Sequence, residues 1–304
     1  MLNTTRLNVF REVVERGSFS AAADELAYSQ SAVSQAIATL EGELGTALIE
    51  RRRGGVLPTP AGAALVAHVG GILAQMETAE SEVAAIARGR GGRLRTASFP
   101  TAGSTLMPRA VAAFRASHPG VELTLAEGEP EEIAPRLRAG EFDLVLLFEF
   151  EGVGERLGAG MRRFELLDDP LHLALPADHP LAGHEQIELG DLREESFVQT
   201  SAASPCAKHV IRSCHAAGFE PAVAFESDDY QTVQGLVAAG VGVALIPELA
   251  LSTVREDIVV RALHPASPVR KVFAATPRGA AATPAVATMI DVLRAEAARG
   301  HLPT

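Results

Sequence analysis

The sequence predicts an α plus α/β fold, in which a small helical N-terminal region is joined by one long helix to a larger α/β region of two lobes. The first observation is periodicity: apolar residues recur every three or four positions up to about residue 88, whereas strands and helices alternate after residue 93. The second is charge. Residues 1–95 hold ten Arg and ten Asp or Glu, so the net charge of −11 comes from the 17 basic and 28 acidic residues that follow. Regions that differ in this way are expected to have different partners.

The composition is that of a protein with a sizeable core. The chain has 304 residues, of which 47% are hydrophobic, and this length suggests about two domains. The net negative charge excludes a generic nucleic-acid-binding surface over the whole chain. The N-terminal residues lack the apolar stretch of a signal peptide, and no run approaches the roughly 18 apolar residues of a membrane span. With only Cys206 and Cys214, a cytoplasmic protein without membrane contact is expected.

Three helices are predicted in the first 45 residues. Leu7, Phe10 and Val14 recur at helical spacing, and Gly17 ends that helix. Ser18 and Ser29 stand where the second and third helices begin and are predicted to cap them. The third helix, starting near Gln30, has a predicted core stripe of Val33, Ile37, Leu40 and Leu44 and an opposite side of Ser31, Ser34, Gln35 and Ala38.

The next segment, LIERRRGGVLPTPAG, predicts a hairpin followed by a long helix. Gly-Gly after three arginines is typical of a tight turn, or wing, and Thr59-Pro60 is typical of a helix start with Thr as the N-cap. The long helix should run to about Arg88. Its heptad pattern favours a coiled-coil dimer seam over packing on its own domain, although Gly70-Gly71 weakens the helix. The predicted seam consists of Leu65, Val69, Ile72, Met76, Ala79, Val83 and Ile86.

The segment RGRGGR, residues 88–93, is the best candidate for a domain boundary. After it, buried strands such as LRTASF, FDLVLLF and GVALIP alternate with helices, one of them from Thr101 to Ser117, so mostly parallel sheets are expected. AGEFDLVLLF and AAGVGVALIP resemble each other, which indicates two similar lobes with a cleft between them. The predicted domains are residues 1–58, 59–92 (long helix and hinge) and 93–304, with lobe I at about 93–166 and 268–304 and lobe II at about 167–267.

Two short helices joined by AYS, with a third behind them, form a helix-turn-helix pattern, which alone is a weak signal. The segment around it, GSFSAAADELAYSQSAVSQAIATLEGELGTALIERRRGGVLPTPAG, resembles the N-terminal domain of the LysR-type transcriptional regulators. The later segments LMPRAVAAFRASHPGVELTL, RAGEFDLVLL, HPLA, AAGFEP and GLVAAGVGVALIPELAL resemble that family's effector-binding domain, in order.

This resemblance implies a winged helix-turn-helix, a linker helix that pairs two chains, and a two-lobed effector-binding domain of periplasmic-binding-protein type. The implied partners are double-stranded DNA with a pseudo-palindromic promoter site, a small-molecule effector, and further copies of the chain in a homodimer or homotetramer. RNA polymerase is a further candidate partner. No cofactor is implied.

The predicted recognition helix departs from many members of that family, because Gln35 and Ala38 stand where those members carry Arg. Gln can bond to adenine through both amide atoms, so Gln35 is expected to read bases directly, with DNA shape contributing. The alternative is a solvated polar residue. Adjacent arginines, helix N-termini and hydroxyls are expected to contact phosphates. The predicted DNA-binding residues are Ser18, Ser20, Ser29, Gln30, Ser31, Ser34, Gln35, Arg51, Arg52, Arg53 and Thr59.

By the same resemblance, the effector should bind in the cleft between the lobes. The segments that would line the cleft supply no Arg or Lys, but they carry Glu149, Asp228 and Asp229, so a small neutral or zwitterionic ligand is expected. The alternative is that the serines and threonines only cap helices. The predicted effector-binding residues are Ser98, Pro100, Thr101, Ala102, Phe148, Thr200, Ser201, Ser204, Ser227 and Asp228.

Other chemistries are less favoured. Cys206 and Cys214 lie eight residues apart on a predicted helix, about 12 Å between Cα atoms, whereas a disulfide needs roughly 4.4–6.8 Å, so a redox-sensing regulator is a minor alternative. His209 and His215 beside them lack zinc-finger spacing, and no metal site is predicted. No known catalytic motif is present, so no enzyme is expected. The remaining alternative is a cytoplasmic small-molecule-binding protein of periplasmic-binding-protein type.

Overall fold

The fold, seen in a computed structural model, is described for residues 2–52, 55–87, 92–151, 160–265, 267–278 and 283–299. Arg53 and most of the predicted hinge at 88–93 lie outside these ranges, as do the side chains of Arg51 and Ile86. None of the described helices is both long enough and apolar enough to cross a membrane.

Three helices form the N-terminal region: α1 (Thr4–Arg16), α2 (Phe19–Glu25) and α3 (Gln30–Leu44). Gly17 ends α1 in the left-handed conformation, at φ 60°. The predicted caps are confirmed, since Ser18 Oγ accepts from Ala21 N–H at 3.4 Å and Ser29 Oγ accepts from Ala32 N–H at 3.2 Å. Each serine thereby satisfies a backbone donor that the first helical turn leaves free.

The core of this region lies between α1 and α3. Phe10 and Val13 are fully buried against the stripe Val33, Ile37 and Leu40, as predicted. The stripe ends there, because Leu44 is 40% exposed. The prediction that Leu44 faces the core is therefore wrong: it occupies the last turn of α3, outside the buried cluster of this region.

An antiparallel hairpin of β1 (Ile49–Arg52) and β2 (Gly55–Pro58) follows, and it forms the predicted wing. Glu41 on α3 holds β1 in place, because its Oε1 accepts from the backbone N–H groups of Leu48 at 2.7 Å and Ile49 at 3.3 Å. Thr59 then starts the long helix α4 (Pro60–Ala87): its Oγ1 accepts from Gly62 N–H at 3.0 Å and donates to Ala47 O at 2.8 Å.

The first half of α4 packs on its own domain. Val69 is fully buried in the N-terminal core, with Leu65 and Ile72 packed against the same cluster. Val69 therefore supports packing of α4 on its own domain, whereas Leu65 and Ile72 are half-buried and their place in a dimer seam stays a prediction. The second half differs: Met76 is 42% exposed and Val83 is 67% exposed.

The α/β region alternates strands and helices as predicted. Lobe I contains β3 (Arg93–Ser98), α5 (Pro100–Ser104), α6 (Leu106–Ser117), β4 (Glu122–Glu127), α7 (Pro130–Arg138), β5 (Leu144–Phe150) and α10 (Pro284–Ala298). Lobe II contains β7 (Ile187–Glu188), β8 (Ser196–Gln199), α8 (Pro205–Ala216), β9 (Ala222–Glu226), α9 (Tyr230–Ala238), β10 (Ala244–Pro247), β11 (Ile258–Arg261) and β12 (Leu263–His264), with 3-10 helices at Pro180–Gly183, Leu189–Leu192 and Glu248–Leu251. The single helix predicted from Thr101 to Ser117 is two helices, α5 and α6, which break at Thr105.

Two long strands, β6 (Met161–Pro176) and β13 (Val269–Pro277), connect the lobes. The main sheet has the order β10-β6-β13-β5-β3-β4, with β11 also on β6. β6 pairs with β13 up to Pro170 and with β10 and β11 from Leu171 onward, so the chain passes between lobes inside this strand. β3 is parallel to β4 and β5, but β13, β10 and β11 pair antiparallel. β8 with β9 and β7 with β12 are also parallel. The expectation of mostly parallel sheets is therefore confirmed only in part, because the strands that cross between the lobes pair antiparallel.

Candidate functional site

The outer side of α3 is a polar surface at the edge of the N-terminal region. Gln30, Ser31 and Gln35 are exposed there, and Ser34 is half-buried. Ser18 Oγ and Ser20 Oγ lie 3.0 Å apart, and Ser29 Oγ and Ser31 Oγ lie 2.9 Å apart, so hydroxyls flank the N-termini of both α2 and α3. The predicted reading residues therefore lie together with two helix N-termini, which favour anions such as phosphate.

One wing arginine, Arg52, already forms an ion pair. Arg52 is exposed, but its guanidinium pairs with Glu50 at 3.0 Å. Phosphate contact by Arg52 would have to compete with this surface pair, which is worth at most ~1 kcal/mol. Thr59 is half-buried and occupied as the cap of α4, so its hydroxyl is mainly structural.

A cavity of about 640 Å³ lies between the two lobes. It is bounded by α5 and the N-terminus of α7 from lobe I, and by the N-termini of α8 and α9 and the 3-10 helix Glu248–Leu251 from lobe II. Its volume is in the usual range for a small-molecule site. The lining residues are Phe99, Pro100, Thr101, Ser104, Glu127, Glu129, Phe148, Thr200, Ser204, Cys206, Asp228, Asp229, Tyr230, Gln231, Ala250, Ser252, Thr253 and Arg270.

Six of the ten predicted effector residues line this cavity: Pro100, Thr101, Phe148, Thr200, Ser204 and Asp228. The other four stand behind the wall or serve as local supports. Ser98 and Ala102 are buried, Ser201 donates its backbone N–H to Asp228 Oδ1 at 2.9 Å, and Ser227 Oγ accepts from Asp229 N–H at 3.3 Å. The alternative reading as caps also holds in part, since Ser204 Oγ caps α8 at 3.0 Å from Ala207 N and lies 2.6 Å from Thr200 Oγ1.

Arg270, on β13, is the cavity residue that the sequence did not reveal. It is fully buried, and its Nε donates to Asp169 Oδ2 at 2.6 Å while Nη2 donates to Thr101 Oγ1 at 2.6 Å. Its guanidinium carbon lies 4.7 Å from the ring centre of Phe148 and 5.0 Å from that of Phe99. The expectation that the cleft walls carry no Arg or Lys is therefore wrong. The only available signal was a charged residue within the otherwise apolar pattern of a buried strand.

Asp169 connects this cluster to both lobes. It lies on β6 and is 1% exposed. Its Oδ2 accepts from Arg270, and its Oδ1 accepts from the backbone N–H of Leu249 at 3.1 Å, in the 3-10 helix of lobe II. Since Arg270 also binds Thr101 of lobe I, one buried ion pair joins the two lobes at the floor of the cavity.

Four carboxylates lie in the cavity wall. Glu127, Glu129, Asp228 and Asp229 all line the cavity. Burial and the neighbouring Glu131, Asp228 and Glu132 raise the pKa of Glu129 to about 7, although Arg270 opposes the shift. Hydrogen bonds from Thr232 and Gln231 lower the pKa of Asp229, which caps α9.

The two cysteines show no sign of reactivity. Both are free and buried on α8. Burial raises the pKa of Cys206, and it raises the pKa of Cys214 to about 11, with Glu220 adding to the latter shift. His209 stacks on Phe150 at 4.2 Å between ring centres, and burial lowers its pKa to about 4. No group of three or more His, Cys, Asp or Glu suited to a metal occurs in the described part of the chain.

Comparison with known proteins covers nearly the whole chain. Residues 4–63 match the family model of the bacterial regulatory helix-turn-helix protein, lysR family, and residues 87–298 match that of the LysR substrate binding domain. The probable HTH-type transcriptional regulator LrrA of Synechococcus elongatus is 33% identical over 96% of this chain and 97% of its own. The transcriptional dual regulator GltC of Bacillus subtilis is 33% identical over 80% of each chain. OxyR of Escherichia coli, a DNA-binding transcriptional dual regulator, is 29% identical over 84% of this chain and 82% of its own.

Solved structures agree on the fold. A full-length OxyR variant from Pseudomonas aeruginosa superposes with a TM-score of 0.68 at 24% identity, covering 97% of this chain and 98% of its own. CbnR, a LysR family transcriptional regulator, superposes with a TM-score of 0.63 at 23% identity, covering 97% and 99% of the two chains. At these identities the likeness concerns the architecture.

Proposed function

This chain belongs to the LysR family of transcriptional regulators, and from that premise we propose that it binds a promoter site through α3 and the wing while a small molecule occupies the cavity between its lobes. The observation that carries the first half is the polar face of α3. Gln30, Ser31 and Gln35 are exposed on it, beside two capped helix N-termini. In this proposal α3 enters the major groove with its N-terminal end first.

The contacts that α3 makes with DNA should differ from those of a recognition helix rich in Lys and Arg. α3 has no Lys or Arg from its start to Leu40, so it contributes little phosphate attraction. Hydroxyls of Ser18, Ser20, Ser29 and Ser31, helix N-termini and the wing arginines hold the backbone, while Gln35 reads an adenine edge. Because each N-terminal domain should bind DNA weakly by itself, two copies have to bind a pseudo-palindromic site together.

The second half of α4 is proposed as the surface that pairs two chains. Met76 and Val83 are exposed apolar side chains on a helix whose first half is already covered by α1. Ala79 lies on the same predicted seam and is exposed. Pairing through this stretch leaves each α1–α4 packing intact, and it makes a homodimer the smallest unit that would bind DNA.

Within this proposal the protein is a cytoplasmic regulator rather than an enzyme. The redox-sensing alternative is suggested by the OxyR relatives, but the raised pKa values of Cys206 and Cys214 weigh against it. A periplasmic-binding-type protein would bind a ligand in the same cavity but would not bind promoter DNA.

Fluorescence anisotropy with DNA from upstream of the protein's own gene tests the proposal. We expect sequence-specific binding that persists at ~0.15 M salt and a linear fall of log affinity with log salt. Arg52→Ala should weaken binding to all sequences and lower the salt slope by about one unit or less, whereas Arg115→Ala on α6 should change neither. Failure to prefer any promoter fragment over random DNA would overturn the proposal.

A further inference from the structure

The walls of the interlobe cavity carry an excess of negative charge. Glu127, Glu129, Asp228 and Asp229 line it, and none of these four forms a salt bridge within the described residues. Arg270 is the only cation among the lining residues, and it already pairs with Asp169 at 2.6 Å. A ligand entering this space therefore meets carboxylates that lack a counter-ion and a guanidinium that has one.

Two of these carboxylates are committed to the fold. Asp229 accepts from the backbone N–H groups of Gln231 and Thr232 and from the Thr232 hydroxyl, as the cap of α9. Asp228 uses Oδ1 to accept from Ser201 N–H at 2.9 Å. Its other oxygen forms no hydrogen bond with a described residue, so it is available to a ligand on the cavity side.

Glu129 is the most unusual of the four. It is the N-cap of α7, where it forms a capping box with Glu132, and it is half-buried at the lobe I side of the cavity. Its pKa of about 7 means that close to half of the molecules carry a neutral carboxyl at neutral pH. Burial is the main cause of this shift, and Glu131, Asp228 and Glu132 add to it. Glu129 and Asp228 both line the cavity, one from each lobe. A positive charge placed between them would restore the ionised form.

A buried hydroxyl adds a second unsatisfied group at the same end. Ser98 is 1% exposed, and its Oγ has no hydrogen-bond partner among the described residues. A Cβ built on Gly103 would lie 3.2 Å from this Oγ and 3.3 Å from Glu127 Oε2, so the hydroxyl and the lining carboxylate flank the same point on α5. Buried polar groups are normally paired, and Ser98 does not line the cavity, so this hydroxyl is an unsatisfied group behind Glu127 and not itself a ligand contact.

The floor of the cavity is aromatic. Phe99 and Phe148 pack edge to face, with ring centres 4.9 Å apart, and both line the cavity together with Tyr230 and Ala250. This surface suits an apolar body and not a second charge. An anion would have to compete with Asp169 for Arg270 and leave a buried carboxylate without its partner, which is unfavourable.

We propose that the cavity binds a small organic cation, an amine or amidine on an apolar body, with its charged nitrogen between Glu129 and Asp228 and its body on the rings of Phe99 and Phe148. This inference rests on the proposed function, because it names the effector class of that site. It replaces the neutral or zwitterionic ligand expected from the sequence. Binding at pH below 7 must release a proton from Glu129, so the affinity for a cation falls as the pH falls.

A matched series of probes tests the charge preference on the full-length protein. 2-Phenylethylamine, 2-phenylethanol and 3-phenylpropionate share a ring and a short chain but carry positive, zero and negative charge; n-hexylamine, n-hexanol and hexanoate do the same with an aliphatic body. Isothermal calorimetry and thermal shift measure binding without DNA. We expect an amine to bind roughly tenfold or more tightly than its neutral and anionic partners.

Glu129→Gln is the decisive variant, and Glu131→Gln, an exposed neighbour outside the cavity, is its matched control. The first should remove most of the preference for amines and its dependence on pH between 5 and 7. The second should keep the preference and a pH dependence that shifts to lower pH, because Glu131 contributes to the raised pKa of Glu129. Asp228→Asn should reduce amine binding by a similar factor and provides a second variant if Glu129→Gln perturbs folding.

The proposal is overturned if carboxylates bind as tightly as amines, if Glu129→Gln and Asp228→Asn both leave amine binding unchanged, or if neither amine binds at ~10 mM. The anisotropy assay with promoter DNA and no ligand reports separately on the proposed function.

Discussion

The backbone of Gly70 on α4 packs directly against the backbone of Ala139, the residue that follows α7. A Cβ at Gly70 would overlap the Ala139 carbonyl oxygen and lie 2.8 Å from its Cα. Gly140, in the left-handed conformation at φ 79°, comes equally close to Ala74 of α4. The long helix therefore packs closely on lobe I at this contact, and α7 runs from it to Glu129 at the cavity.

Replacing Gly70 should therefore destabilise the protein, although Ala normally favours a helix. Gly70→Ala has to push α4 away from the end of α7, and overpacking of this kind costs roughly 1–3 kcal/mol. Gly71→Ala is the matched control, since a Cβ at Gly71 meets nothing within 4 Å and should add up to about 1 kcal/mol of helix stability. Urea unfolding of both variants measures the difference. Equal midpoints for the two would show that the contact does not hold α4.

The helical N-terminal region could be predicted from local sequence because its signals are local. Ser18, Ser29 and Thr59 each cap a helix within three residues of themselves, so short-range chemistry fixes where those helices begin. The heptad pattern of α4 was equally local but ambiguous. An apolar stripe covered by α1 and one covered by another chain look the same in sequence. Val69 is an example of the first, because it is buried in the core of its own N-terminal region.

The cavity could be predicted only in part, for the opposite reason. Thr101, Thr200 and Asp228 follow strands or precede helices, where α/β lobes place ligand contacts. Arg270 lies 101 residues from Asp169 and 169 from Thr101, and only the folded strands β6 and β13 bring these groups together. The same holds in part for Glu129, whose pKa is raised mainly by burial in the fold and by the nearby Glu131, with Asp228 of the other lobe adding to the shift.

Gln35 should control base preference and not overall affinity. The Gln35 side chain is exposed on the outer face of α3, and it is long enough to reach a base edge. Gln35→Ala should relax discrimination at one base pair per half-site by about 1–3 kcal/mol and leave binding to random DNA nearly unchanged. Competition assays with single-base variants of the promoter site measure both effects, with Thr39→Ala, exposed one turn further along, as the control. A uniform loss on all sequences would make Gln35 a phosphate contact.

Glu129 predicts a specific pH dependence of stability. Its pKa is about 7 in the fold against an ordinary value of 4.5, so the folded state binds the proton more tightly than the unfolded chain. Its contribution is complete below about pH 4.5, is lost as the pH rises through 7, and is constant above that. Glu129→Gln cannot ionise, so its stability relative to wild type should increase between pH 4.5 and 7.5, by an amount on the order of 2 kcal/mol.

Thermal unfolding of wild type, Glu129→Gln and Glu131→Gln across that range measures this difference. Glu131→Gln should keep the shape of the wild-type profile but shift it to lower pH, because Glu131 contributes more to the raised pKa of Glu129 than any other acidic group. A difference between wild type and Glu129→Gln that stays flat from pH 4.5 to 7.5 would contradict the pKa assignment.

The pair Arg270–Asp169 should act as one unit. Arg270→Met leaves the Asp169 carboxylate buried with only the Leu249 N–H as a partner, which should cost roughly 3–5 kcal/mol. Asp169→Leu likewise leaves the Arg270 guanidinium buried without its carboxylate partner. The double variant removes both charges, so its loss of stability should be well below the sum of the two single losses. Denaturant unfolding of the four proteins gives the coupling energy, and strict additivity would mean that the pair is not a functional unit of the fold.

Cys206 and Cys214 should resist oxidation to a disulfide. Both thiols are buried with raised pKa values, and a group with a pKa of about 11, as for Cys214, is ionised in roughly one molecule in 10,000 at pH 7. Both lie on α8, eight residues apart, so pairing would require about two turns of that helix to unfold.

We therefore expect peroxide treatment of the native protein to leave both thiols free, as read by alkylation and mass spectrometry. Denatured protein should alkylate fully and serves as the control. The double variant Cys206→Ser with Cys214→Ser should bind promoter DNA like wild type, with or without peroxide. A Cys206–Cys214 disulfide that changes the DNA footprint would restore the redox-sensing alternative.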